Sequence, residues 1–81
     1  RLKGEMMNVK QIRENMTEAA LSVESVMRGH PRITLQELST ACSISLPAVE
    51  FIIEQMLCMR VAQRGAFGRY SLTPEYQNGS F

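Results

Sequence analysis

The stretch Thr34-Leu35-Gln36-Glu37-Leu38-Ser39-Thr40-Ala41-Cys42-Ser43-Ile44-Ser45-Leu46-Pro47-Ala48-Val49 decides the fold, because it holds two helix starts separated by a tight turn. Thr34 with Glu37 three residues on is a capping box, in which each side chain satisfies a free backbone N–H of the other residue. Leu35, Leu38 and Ala41 then recur at helical steps and form an inward stripe. Ser43-Ile44-Ser45 reads as a turn, with Ile44 alone able to plug into a core. Ser45 is the second N-cap, and Pro47 falls in a first turn where no backbone donor is needed. The helix it opens is expected over residues 46–59, with Val49, Ile53 and Met56 or Leu57 on the inner face.

Working outward toward the N-terminus, Ile12, Met16, Ala19, Ala20, Val23, Val26 and Met27 make one stripe at steps of three and four. Thr17 suits an N-cap and Glu18 a first turn, so residues 9–28 form either one helix or a short helix running into a second. Gly29 ends this element and Pro31 prevents its resumption. Ile33 is a candidate for a very short strand. Beyond Met59 the period changes to two: Val61 and Gln63, then Tyr70 and Leu72, flank the turn Gly65-Ala66-Phe67-Gly68. A hairpin is expected over residues 60–73. Leu38, Ile53 and Leu72 should meet in one buried cluster. The polar ends, residues 1–8 and 74–81, read as a flexible arm and a frayed tail around a single domain at 9–73.

At 81 residues and 9.2 kDa the chain has room for one small core and too little for a second lobe around an enzyme cleft. No apolar run approaches the ~20 residues of a membrane helix, and Arg1 to Lys10 has no signal-peptide core, so a cytoplasmic protein is expected. Cys42 and Cys58 lack metal-ligand spacing, and His30, the single histidine, reads as a surface loop residue. No phosphate-binding glycine loop or Ser-His-Asp set is present. No enzyme, cofactor, metal or small-molecule substrate is therefore expected.

The net charge of +1 conceals a segregation. Residues 33–58 hold Glu37, Glu50 and Glu54 and no Lys or Arg, whereas residues 59–71 hold Arg60, Arg64 and Arg69 and no acid. Arginines on a protruding ribbon suit phosphate contact or a narrow minor groove. With Arg28 and Arg32 from the preceding segment, about four or five phosphates would be neutralised, for a log–log salt slope near −4.

The order helix, short strand, helix, tight turn, helix, hairpin resembles a winged helix-turn-helix from about Leu21 to Thr73. Leu35-Gln36-Glu37-Leu38-Ser39 resembles the L-x-E-L-A opening of the first motif helix. Cys42-Ser43-Ile44-Ser45 is similar to the G-V-S turn. Pro47-Ala48-Val49 looks like the start of the recognition helix, with Met56 where the family has leucine. Arg69-Tyr70-Ser71-Leu72-Thr73 resembles the G-R-Y-x-L-T end of the wing. The families suggested are small prokaryotic transcriptional regulators of the DeoR-like or FeoC-like kind. The resemblance implies an α+β, mainly α fold: a three-helix winged helix-turn-helix with a C-terminal β-hairpin wing and an N-terminal helical extension. It also implies a DNA-binding transcriptional regulator, its third helix against the major groove and its wing on the backbone or minor groove. Its contacts to duplex DNA would be Arg28, Arg32, Thr34, Ser45, Pro47, Glu50, Phe51, Arg60, Arg64 and Arg69.

The chain departs from the family in three places. Cys42 and Ser43 stand where the turn often has glycine, and Arg60 stands where a glycine usually ends the third helix. The third helix itself offers Glu50, Phe51, Glu54 and Gln55, and paired carboxylates repel phosphates. The alternative reading is thus a winged-helix interaction module that grips a partner protein with this helix, through Phe51 and Leu57. Apolar surface left over from Val9 to Met16, including Ile12 and Met16, points to a homodimer, whose symmetry would supply a second half-site.

Overall fold

Thr17 divides the N-terminal apolar stripe. Its hydroxyl accepts a hydrogen bond from the Ala20 N–H at 3.1 Å, which starts a new helix rather than continuing the old one. The computed structural model, which describes residues 9–79 and side chains from Ile12 onward, therefore begins with α1 (Val9–Glu14) and α2 (Glu18–Gly29). The arm expected over residues 1–8 lies outside the described residues. After α2 come β1 (Ile33–Thr34), α3 (Leu35–Cys42) and α4 (Leu46–Cys58). The hairpin follows as β2 (Ala62–Arg64), a 3-10 turn (Ala66–Gly68) and β3 (Arg69–Leu72), and the described chain ends with α5 (Pro74–Asn78). The described residues make a small, mainly helical α+β structure of five α-helices and a three-stranded antiparallel sheet.

The helix boundaries follow from local chemistry. The Glu37 N–H donates to the Thr34 hydroxyl at 3.1 Å and the Thr34 N–H to the Glu37 carboxylate at 3.0 Å, completing the capping box of α3. Ser43 closes α3 in the left-handed region at φ 56°, while the Ser39 hydroxyl donates to the Ile44 carbonyl and pins the turn. Ser45 occupies the N-cap position of α4 but makes no side-chain cap bond, so Pro47 and burial carry that start. At the far end of α4 the Arg60 N–H donates to the Leu57 carbonyl at 3.1 Å and the Val61 N–H to the Met56 carbonyl at 2.8 Å. This is a Schellman motif with Arg60 at its left-handed position, φ 63°.

β3 is the central strand, in the order β1-β3-β2. Ile33 lies opposite Tyr70, Ala62 opposite Leu72 and Arg64 opposite Tyr70. Leu38, Ile53 and Leu72 are buried in one core with Val23, Met27, Ile33, Val49, Ile52, Met56 and Val61. Among the described residues no single helix is long and apolar enough to cross a membrane.

Two expectations are corrected here. Residues 74–78 are not a frayed tail: the Thr73 hydroxyl accepts from the Tyr76 N–H at 3.2 Å, α5 forms, and Tyr76 is fully buried. Ile12 is not surplus apolar surface for a second copy. It is 2% exposed, because the break before α2 folds α1 back onto the core, and Met16 packs half-buried beside it.

The Schellman geometry yields a prediction. A side chain at the left-handed Arg60 position is disfavoured by about 1 kcal/mol relative to glycine. Arg60→Gly should raise stability by about that amount in urea denaturation, with an unchanged m-value.

Candidate nucleic-acid interface

The hairpin turn is tight for a reason local to its first glycine. The Gly65 N–H donates to the Arg69 carbonyl at 2.7 Å, and a Cβ at Gly65 would stand 3.2 Å from that same oxygen. The 3-10 turn then passes through Phe67 and Gly68, both left-handed, at φ 61° and 68°. Arg64 and Arg69 are thereby held at the base of one short loop. Pairing of Thr34 with Arg69 brings the chain just before β1 alongside, and Arg32 with it.

The result is a groove of about 600 Å³ whose lining includes Arg32, Arg64, Arg69, Gln63 and Phe67, and no acidic residue. Arg69 is partly engaged: its Nη1 lies 3.5 Å from the Arg32 carbonyl and 3.5 Å from the Glu37 carboxylate. The Glu37 carboxyl is held below its ordinary pKa, first by the Thr34 N–H and then by the Arg69 guanidinium. On the same hairpin the Gln63 side-chain amide donates to the Ser71 hydroxyl at 3.3 Å.

The exposed face of α4 has a different character. Pro47, Glu50, Glu54 and Gln55 are exposed, and Phe51 is 64% exposed. Phe51, Glu54, Gln55, Cys58 and Met59 line a shallow, mainly apolar depression. Between α4 and the hairpin, Glu50, Glu54 and the half-buried Leu57 face a second groove that Arg64 also borders.

No family model matches the chain, and no curated protein does. The fold has a solved likeness. The chain is similar to the crystal structure of RV1404 from Mycobacterium tuberculosis, with a TM-score of 0.75 and 17% sequence identity. The match covers 89% of this chain and 53% of that one, so the chain spans about half of that protein's length. At this identity the likeness is one of fold alone.

The expected DNA contacts separate into two groups. Arg32, Arg64 and Arg69 share the basic groove. Pro47, Glu50 and Phe51 lie on the exposed face of α4, with Ser45 exposed at its start. Thr34 is occupied as a helix cap. Arg60 is exposed at the end of α4 but does not line the groove.

Arg28 does not line the groove: it lies in the last turn of α2, where its Nε and Nη2 both reach the buried Glu24 carboxylate at 2.9 Å. The Tyr76 hydroxyl donates to the same Glu24 oxygen at 2.7 Å, Arg13 stands 3.3 Å from it, and the Arg28 guanidinium sits 5.4 Å above the Tyr76 ring. A carboxylate with no exposed surface is tolerable only with such partners, so Arg28 has a structural role at Glu24. Phe67, absent from the sequence expectations, is 94% exposed at the lip of the groove.

Burial, and then the bond to Glu24, push the Tyr76 hydroxyl up to about 12 from 10.0. A raised folded-state value contributes stability that is complete below pH 10 and is lost as pH rises toward 12. Tyr76→Phe should lower stability at neutral pH by about 1.5–3 kcal/mol, the worth of a hydrogen bond to a charged group. It should also remove this alkaline decline, as read by thermal unfolding across that pH range.

Proposed function

We propose that this chain is a winged helix module that binds duplex DNA chiefly through its wing, as part of a transcriptional regulator. One observation carries the reading. Three arginines from separate segments, Arg32, Arg64 and Arg69, converge on a single groove with no acid in its lining. Such a site fits the phosphate backbone, which supplies most sequence-independent affinity. The order of elements and the hairpin beside α4 support a winged helix-turn-helix topology. In this reading the acidic face of α4 stands off the phosphates rather than leading the contact, since Glu50 and Glu54 are both exposed on it.

Three arginines imply modest affinity for one module, so a second copy or a partner protein supplies the rest. The exposed Phe51, with Cys58 and Met59 beside it, favours a second reading in which α4 grips that partner.

The test is fluorescence anisotropy of a labelled generic duplex across a salt series. About three neutralised phosphates predict a slope near −3, shallower than the total near −4 expected when Arg28 and Arg60 are counted as well. Arg64→Ala and Arg69→Ala should each flatten it by about one and weaken binding to all sequences alike. Glu37→Gln should tighten binding, because it frees Arg69 of its counter-charge while glutamine still serves the capping box. Absence of duplex binding at low ionic strength contradicts the reading. A slope unaffected by either arginine substitution moves the contact away from the wing.

A further inference from the structure

Phe67 is the least explained residue of the fold. It is 94% exposed and contributes nothing to the core. Its backbone sits in the left-handed region, at φ 61° and ψ 33°, which disfavours any residue with a Cβ. The turn leaves it no alternative. The Gly65 N–H to the Arg69 carbonyl and the Arg69 N–H to the Ala66 carbonyl close the loop on both sides, and the phenyl ring is held outward at the tip. The same ring lines the lip of the groove that holds Arg32, Arg64 and Arg69.

An aromatic side chain fixed in water at the end of a basic ribbon has a definite use against DNA. Apolar wedges, phenylalanine among them, enter the minor groove and partly unstack a base step, kinking the duplex toward the major groove. Arginines on either side of the ring can hold the flanking phosphates while it enters. Because the loop is already fixed, little ordering is left for the encounter.

We propose that Phe67 is a minor-groove wedge: the wing tip inserts its ring at a base step while Arg32, Arg64 and Arg69 bind the adjoining phosphates. This deepens the wing-binding reading above and rests on it. Pyrimidine–purine steps are the most easily unstacked, so they are the preferred sites. The wedge thus gives the module a sequence preference based on deformability, which the acidic face of α4 is ill-suited to supply by hydrogen bonding.

The chain has no tryptophan, so Phe67→Trp places a single indole reporter at the tip. Anisotropy of a labelled duplex containing a central TA step measures binding independently of that reporter. On saturation, the indole fluorescence should be quenched and the ring should become shielded from acrylamide. Phe67→Ala should keep the thermal stability of the parent and lose about 5- to 100-fold in affinity with an unchanged salt slope, because stacking carries no charge. It should also abolish the rise in fluorescence of 2-aminopurine placed at the TA step. Binding by anisotropy with the indole still fully open to acrylamide, or a Phe67→Ala variant that binds and unstacks the step like the parent, overturns the wedge and leaves wing binding intact. No binding of the parent at low salt overturns both. Shielding of the indole by a second protein but not by DNA assigns the ring to a protein interface and also overturns the wedge.

Discussion

β3 is hydrogen-bonded on both edges, with Ile33 and Thr34 of β1 on one side and Ala62 to Arg64 of β2 on the other. That double pairing is the constraint on which the rest depends. It places Leu72 in the same buried core as Leu38 of α3 and Ile53 of α4, while β1 packs on α3 and β2 on α4. It also fixes the distance between segments far apart in the chain, so that Arg32, before β1, comes to the same groove as Arg64 and Arg69. Without β1 on that edge the hairpin would be a two-stranded ribbon, which is marginal in water. The core and the candidate site are thus consequences of one strand's hydrogen bonds.

Helices α3 and α4 were legible in the sequence because their signals are local. The Thr34–Glu37 capping box, the proline in the first turn of α4 and the inward stripes need no knowledge of the rest of the chain. The hairpin was legible from its change of period and its paired glycines. The break at Thr17 was visible, but whether it divides the helix depends on α1 finding a place on the core. What could not be read were contacts across long sequence separations. Glu24 looks like an ordinary surface acid of an amphipathic helix, and Tyr76 like a residue of a polar tail. Their bond spans fifty-two residues, and Arg28 pairs with the same buried carboxylate. The same fact turns residues 74–78 from a loose end into a packed helix. Phe67 was hidden differently: a phenylalanine between glycines gives no sign of which way the turn will send it.

The positions at which this chain departs from the winged-helix pattern have physical counterparts. Ser43 and Arg60 both adopt the left-handed backbone that glycine takes most easily, at φ 56° and 63°. The fold accepts strain there rather than altering its turns, which is how a Schellman motif persists without its usual residue. The α4 departures are chemical rather than conformational. Glu50 and Glu54 leave the helix intact while making its face a poor phosphate contact, and Phe51 adds an apolar spot. Positive charge is concentrated instead at the wing. In the proposed reading, that distribution lets the hairpin meet nucleic acid and leaves α4 for a partner.

The claim that the wing groove is the nucleic-acid contact is tested most directly by backbone amide chemical shifts of the labelled protein, titrated with a short duplex. The account predicts shifts at Arg32 and over residues 63–71, greatest at Arg64, Phe67 and Arg69, with α2 and α5 unmoved. Perturbations confined to residues 46–59, or none at low ionic strength, would contradict it.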